Sequence, residues 1–268
     1  MNNVITFVSY NIWFDTTLCI ERLISLIEIL LILDPDVICL QEVRPEIYNF
    51  LIGHLNNYRY RFPKKINKSY GCVTFSRYPI TKCLDYEFTN SDMGRSLIVT
   101  KIEYPYKNTE DDKNEITIDK IDIVVANSHF ESIFKKNIVN DTKLKQYELS
   151  AILLNKLYGT FKNIILCTDT NLMDHEEEYF DKIFDETSWK DLWKMKGSNL
   201  NKYTYDSYEN VHLATKLPKF KYKSRIDRII YKTKNCYAEE FNILKADIGC
   251  IEPSDHFGVY GKFIIEKS

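Results

Sequence analysis

Short apolar runs recur along this chain, and several of them end in residues able to do acid–base or metal chemistry. The sharpest is Ile-Leu-Cys-Thr-Asp-Thr-Asn at 165–171, an apolar stretch that closes in Asp169 and Asn171. In extended backbone, residues i and i+2 project from one face. A buried strand would therefore carry this carboxylate and this amide together to its carboxyl end. Taken alone, the segment reads more plainly as a strand followed by an Asx turn and a helix cap. Ser9-Tyr10-Asn11, Leu40-Gln41-Glu42 and Ser254-Asp255-His256 border further strand-like runs and count against that reading. Polar strand ends spread over the whole sequence can converge only at one edge of a sheet.

The rest of the chain alternates strand and helix patterns. Strand-like runs cover 4–9, 37–40, 71–75, 96–102, 121–127, 164–167, 228–231 and 258–265. Helical apolar spacing runs from about residue 17 to 33, where Asp34-Pro35-Asp36 stops it. A second helix is expected over 141–158, with Leu144, Tyr147, Leu149, Ile152, Leu153 and Leu157 available for burial. Residues 105–120 are polar, charged and free of glycine, and read as an exposed hairpin tip or a flexible insertion. There is no fixed-period repeat and no long linker. The expectation is one α/β domain over 1–268, a usual size for a chain with 44% apolar residues.

Composition excludes some classes. No apolar stretch approaches the ~20 residues that span a bilayer, and the N-terminus lacks a signal-peptide pattern. The seven cysteines are scattered without a Cys-x-x-Cys pair. That argues for free thiols in a reducing, intracellular compartment, nuclear or cytoplasmic, and against a structural zinc site. A monomer with no membrane association is expected.

The strand-end residues make coherent chemistry. Glu42 offers a hard oxygen ligand to Mg²⁺ or Mn²⁺. Asp169 could take a proton from an attacking water, with Asn171 orienting that water or a phosphate. His129 and His256 could donate to phosphoryl oxygens as negative charge builds there. Asp227, in Ser-Arg-Ile-Asp-Arg-Ile-Ile, could orient His256 from behind. Each has a plainer reading: a cap for Glu42, a half-buried strand-end histidine for His129, an exposed ion pair for Asp227. Their joint occurrence in order favours the active-site reading. His54, His175 and His212 lack such company and are expected on the surface.

With these residues in view, the chain resembles the endonuclease/exonuclease/phosphatase superfamily from end to end. Its signature is carried by Asn11, Leu-Gln-Glu at 40–42, Asp-x-Asn at 169–171 and Ser-Asp-His at 254–256. Further blocks resemble the tyrosyl-DNA phosphodiesterase 2 branch: Met93-Gly94-Arg95, Ser128-His129-Phe130-Glu131-Ser132, Thr168 to Asp174, Arg225-Ile226-Asp227-Arg228-Ile229, and the stretch from Asp191 to Asp206. The resemblance implies a four-layer α/β sandwich of two central mixed β-sheets flanked by helices. It also implies one catalytic Mg²⁺, Mn²⁺ being a substitute, and hydrolysis of a 5′ phosphotyrosyl–DNA bond in repair of topoisomerase adducts. Carried over, Glu42 and Asp255 lie at the metal and Asp169 activates water. Asn11, Asn171, His129, His256 and Asp227 complete the catalytic set, and Arg95, Ser132, Tyr205, Arg225 and Phe257 meet the substrate. The chain departs from the branch at Thr168 (usually Gly), Phe130 (Leu), and Tyr205 and Phe257 (both Trp). The strand bearing Asn11 begins almost at Met1, so the sequence reads as a bare catalytic domain.

The substrate side rests on charge. The net charge is only −2, so local basic patches must attract a polyanion. Lys216, Lys219, Lys221, Lys223 and Arg225, interleaved with Phe220 and Tyr222, suit a single-stranded nucleic-acid end; a solvated lysine-rich loop fits nearly as well. A tyrosine–RNA linkage is chemically equivalent to the DNA one. The alternatives are another enzyme of the superfamily (an abasic endonuclease, a deadenylase, a lipid or sugar phosphatase) and a non-catalytic nucleic-acid scaffold.

Overall fold

The computed structural model describes residues 3–109, 116–132, 139–184, 188–247 and 249–266. In chain order the elements are β1 (Val4–Asn11), α1 (Cys19–Leu33), β2 (Val37–Val43), α2 (Pro45–His54), β3 (Tyr60–Phe62), β4 (Gly71–Ser76), β5 (Ile80–Glu87), β6 (Ser96–Thr109), β7 (Ile116–His129), α3 (Asp141–Phe161), β8 (Asn163–Asp169), α4 (Glu177–Ile183), β9 (Lys190–Asp191), α5 (Leu192–Lys196), β10 (Tyr205–Asp206), α6 (Val211–Lys216), β11 (Lys223–Ser224), β12 (Asp227–Thr233), β13 (Cys236–Leu244) and β14 (Gly258–Ile265).

Two six-stranded mixed sheets form the centre, in the orders β13-β14-β1-β2-β4-β3 and β5-β6-β7-β8-β12-β9. Ile5, Phe7, Val37 and Cys39 of the first sheet meet Ile123, Val125, Ile165 and Cys167 of the second in an apolar layer. Outside the first sheet, Leu26 and Leu30 of α1 and Leu51 of α2 pack on Val8, Ile38 and Leu40. Outside the second, Tyr147 and Leu154 of α3 and Phe180 of α4 pack on Val124, Ala126 and Leu166. Helix, sheet, sheet, helix: the four-layer sandwich stands as expected. Gly261 of β14 lets α5 and the second sheet approach closely, since a Cβ there would come within 2.4 Å of Leu192 of α5 and 3.1 Å of Ile229 of β12.

Topology explains why the polar strand ends meet. Parallel pairing of β1 with β2 across α1, and of β7 with β8 across α3, makes two β-α-β units. Strands buried along their full length, such as β2 and β8, read as continuous apolar runs for this reason. The carboxyl ends of all four strands point to one edge, where open α/β sheets place ligands. β12 and β14 run antiparallel to β8 and β1, so their amino ends reach the same edge. Below it, Gln41 donates to Ser9 Oγ and Asn127 Oδ1, and Asn127 donates to the Leu40 and Val73 carbonyls. This buried amide pair ties the two sheets together beneath the site.

The structure revises several expectations. The 105–120 segment is strand on both sides, paired in register to Thr109 and Ile116; the tip at 110–115 lies outside the described residues. Lys101 bonds Glu103 and Asp122, and Lys120 bonds Glu103. Ile152 of α3 is exposed, and the helix instead buries Lys143, Gln146, Ser150 and Ala151. α1 buries only one stripe and leaves Ile20, Ile24, Leu31 and Ile32 exposed. All seven cysteines are free thiols. No described helix is long and apolar enough to cross a membrane.

Candidate active site

Asp169 ends β8 at the centre of the polar cluster and is fully buried. Its Oδ2 accepts from Asn11 Nδ2 at 2.8 Å, and its Oδ1 accepts from the Asn171 backbone N–H at 2.9 Å. His129 Nε2 lies 3.3 Å from Oδ2 and His256 Nδ1 3.9 Å. Antiparallel register sets Asp227 directly opposite. Burial first, and then the Asp227 charge, push the Asp169 carboxyl up to about 7, against the pull of His256. His256 Nδ1 donates to Asp227 Oδ2 at 2.9 Å. Burial alone would strip the proton from His256, but Asp227, Asp169 and Asp255 outweigh it and raise the imidazole to about 10. The ring is thus cationic near neutrality, with Nε2 left to donate. Asp227 Oδ1 is buried and makes no hydrogen bond.

Three non-glycine residues here adopt left-handed backbone: Trp13 (φ 57°), Glu42 (φ 62°) and Asn171 (φ 50°). Such conformations cost of order 1–3 kcal/mol each and persist where surrounding structure enforces them. At Asn171 the enforcement is visible. Its carbonyl accepts from buried Lys143 Nζ at 2.6 Å, and its side-chain amide donates to the Phe130 carbonyl at 3.0 Å. Lys143 is in turn paired with buried Glu176 at 2.6 Å.

Glu42 Oε2 accepts from the Phe14 backbone N–H at 2.9 Å, while Oε1 lies 3.7 Å from His129 Nδ1 without a hydrogen bond. Burial raises the Glu42 pKa, so its charge needs a cation to offset desolvation. An oxygen donor with a free lone pair beside a cavity fits a hard divalent ion such as Mg²⁺. Asp169, Asp227 and His256 also cluster within metal-ligating distance. Asp169 is already held by Asn11 and the Asn171 N–H, however, and a cationic His256 with its Nδ1 on Asp227 has no lone pair to offer a metal. That leaves Asp227 Oδ1 as the trio's one oxygen without a hydrogen bond. Glu42, with Oε1 free of hydrogen bonds beside the cavity, is the candidate ligand.

Arg95 forms the wall beside Glu42. Its Nη1 donates to His129 Nδ1 at 2.8 Å, and Nη2 reaches Ser132 Oγ at 3.5 Å. A guanidinium only donates, so the His129 proton sits on Nε2, facing Asp169. Burial, then Arg95, hold the His129 pKa well below the usual range, and the ring is neutral. The two histidines therefore differ in charge, His129 neutral and His256 cationic. Arg95 also lies 5.4 Å over the Tyr70 ring, which stacks on Phe14 at 4.9 Å. Buried Glu131 fixes this wall by accepting from Ser91 Oγ, the Met93 N–H and Gln146 Nε2. A cavity lined by Glu42, Lys68, Tyr70, Met93, Arg95 and His129 opens here.

On the opposite wall, the Tyr205 ring lies 4.8 Å from that of His256. Asp255 is buried beside it, but its Oδ2 is taken by Lys216 Nζ at 2.8 Å rather than left open to a metal. Two other expected contacts fall elsewhere. Arg225 is buried in an ion-pair network with Asp191 and Glu177, shared with Arg228. Phe257 is 1% exposed and cannot meet a substrate; its ring instead lies under Lys245. His54 and His175 are exposed as expected, whereas His212 is buried, its Nε2 at 2.9 Å from the Glu252 carbonyl.

Sequence reasoning assigned no role in the site to Trp13, Phe14, Tyr70 or Glu131, and it placed Lys216 only within the basic run that suits either a nucleic-acid end or a solvated loop. Trp13 and Phe14 follow Asn11 after the single residue Ile12, which was the available signal.

Residues 8–182 match the endonuclease/exonuclease/phosphatase family. The bovine tyrosyl-DNA phosphodiesterase 2 is 25% identical over 272 residues, covering 96% of this chain and 67% of the relative; for the chicken enzyme the figures are 25%, 91% and 62%. The crystal structure of truncated Caenorhabditis elegans TDP2 superposes with a TM-score of 0.79 at 20% identity, covering 97% of this chain and 98% of that one. The D. rerio TDP2 complex with single-strand DNA product gives 0.79 at 20%, covering 98% and 99%. The chain belongs to the endonuclease/exonuclease/phosphatase family, a family of metal-dependent phosphodiesterase hydrolases.

Proposed function

We propose that this chain is a Mg²⁺-dependent 5′-tyrosyl-DNA phosphodiesterase. It would hydrolyse the bond between a tyrosine and a DNA 5′ phosphate, leaving a 5′ phosphate that can be ligated. One observation carries the reading. A buried carboxylate held by Asn11 between a neutral and a cationic histidine adjoins a cavity walled by Arg95 and Tyr70, in a chain alignable over 96% of its length with a tyrosyl-DNA phosphodiesterase 2.

Asp169 takes the proton of the attacking water, and Asn11 and the Asn171 N–H hold its two oxygens in place for that transfer. Cationic His256, oriented by Asp227, donates from Nε2 to the phosphoryl oxygens as charge accumulates on them. Neutral His129 steadies Asp169, and Arg95 fixes the His129 tautomer. Glu42 would hold the metal ion, which when bound supplies Lewis-acid polarisation of the phosphoryl group.

Phenol, with a pKa of about 10, leaves far more readily than a sugar alcohol. The Arg95–Tyr70 cavity gives the departing ring an aromatic and a cationic surface. The substrate is a single-stranded or frayed DNA end, in keeping with the single-strand DNA product bound to the D. rerio protein. The chain acts as a monomer inside the cell, in the nucleus or cytoplasm, where its free thiols suit a reducing compartment. Release of tyrosine from a 5′-phosphotyrosyl oligonucleotide in the presence of Mg²⁺ tests the reading directly.

A further inference from the structure

Lys216 closes α6 and reaches across the mouth of the site. Its Nζ lies 2.8 Å from Asp255 Oδ2 and 5.8 Å from the centre of the Trp13 ring. The opposite pole of the site is Arg95, fixed on His129. Four carboxylates, Glu42, Asp169, Asp227 and Asp255, crowd this space against Arg95, His256 and Lys216. A polyanion entering it needs every cation it can reach.

Among those cations Lys216 is the one with freedom to move. Arg95 and His256 are buried, whereas the Lys216 side chain is 48% exposed. An ammonium carries three N–H donors in free rotation about its stem. It can turn outward without leaving Asp255. Asp255 also fixes where the ammonium stands: its Oδ2 holds Lys216, and its Oδ1 lies 4.0 Å from His256 Nε2. A full carboxylate therefore separates the lysine from the imidazole.

We propose that Lys216 binds the backbone phosphate next to the scissile one, and that Asp255 holds it ready for that contact. This rests on the nucleic-acid substrate proposed above. It makes Lys216 a determinant of strand length: a substrate with a second phosphate gains the contact, and one without it does not.

The test uses the full chain as wild type, Lys216→Met and Lys216→Arg, on two substrates. One is a 5′-phosphotyrosyl single-stranded oligonucleotide; the other is the p-nitrophenyl ester of thymidine 5′-monophosphate, which has only the scissile phosphate. Lys216→Met is expected to raise KM for the oligonucleotide about tenfold with kcat changed less than threefold. The loss in kcat/KM on the oligonucleotide should exceed that on the ester at least fivefold, and Lys216→Arg should recover most of it. The slope of log K against log salt for binding a 5′-phosphorylated oligonucleotide should fall by about 0.7, the value for one single-strand phosphate contact. Equal losses on both substrates, or an unchanged salt slope, would overturn the assignment. Wild type silent on both substrates would refute the phosphotyrosyl reading instead, and the binding slope would still decide the role of Lys216.

Discussion

Asp227 stands directly opposite Asp169 across the β8–β12 ladder, two buried carboxylates facing one another at the heart of the site. One Asp227 oxygen accepts the hydrogen bond from His256 Nδ1, and its charge helps to raise Asp169 to about 7. This single residue thus sets the protonation of both the proposed base and the proposed cation.

A pH profile follows. Asp169 must be ionised to accept a proton, so kcat/KM should rise as pH climbs through about 7; His256 must be charged, so it should fall towards pH 10. Asp227→Asn removes a like charge from Asp169 and the anchor from His256. Both limbs should move to lower pH, and the maximum should drop about 10²–10³-fold. Limbs that stay where they are would separate Asp227 from both groups.

The metal assignment rests on Glu42. Glu42→Gln keeps the shape and the Phe14 contact but loses the charge. Chelation with EDTA should silence the wild type and added Mg²⁺ restore it. The variant should lose more than about 10²-fold in kcat at saturating wild-type Mg²⁺ and show weaker Mg²⁺ binding by calorimetry. A normal Mg²⁺ titration in Glu42→Gln would move the ion to another ligand set.

The basic run divides in two. Arg225 is buried in structural ion pairs and Lys216 is held at Asp255, while Lys219, Lys221 and Lys223 are exposed. Replacing these three by Ala should weaken oligonucleotide binding and flatten its salt dependence, by up to about 0.7 in slope for each phosphate no longer neutralised. Binding with the slope of wild type would assign them to a solvated loop.

Glu177 bridges Arg225 and Arg228. Burial works against its charge, but the arginines, Arg228 foremost, hold its pKa at about 2. Its folded pKa is depressed, so its stabilisation is present above the ordinary range near 4.5 and fades as pH falls from there to about 2. Glu177→Gln should cost about 1–2 kcal/mol at pH 7, the exposed side of the carboxylate being screened. The wild type's advantage in urea unfolding should shrink below pH 4. A constant difference across pH would assign the effect to packing.

How much of this was readable depends on how local each signal is. Asp169 and Asn171 announce themselves because strand periodicity and an Asx turn act over two residues. The burial of β2 and β8 shows as unbroken apolar runs. The long β6–β7 hairpin was half hidden because its outer part offers charged cross-strand partners such as Glu103 and Lys120 instead of an apolar alternation. Arg225, Phe257 and His212 were misplaced for a different reason. Each is fixed by a contact 34 or 40 residues distant, such as Arg225 with Asp191 or His212 with Glu252, or by burial that its neighbours in sequence do not signal. The Lys216–Asp255 pair spans 39 residues and was equally invisible.

Asp169 is proposed to drive hydrolysis of a 5′ phosphotyrosyl bond, and everything else in the mechanism depends on it. Tyrosine release from a 5′-phosphotyrosyl single-stranded oligonucleotide with Mg²⁺, measured for wild type beside Asp169→Ala, tests this most directly. Steady release by the wild type is expected, with none above background from a folded Asp169→Ala. Equal release by both proteins, or a wild type that cleaves only abasic duplex, poly(A) RNA or a phosphoinositide, would contradict it.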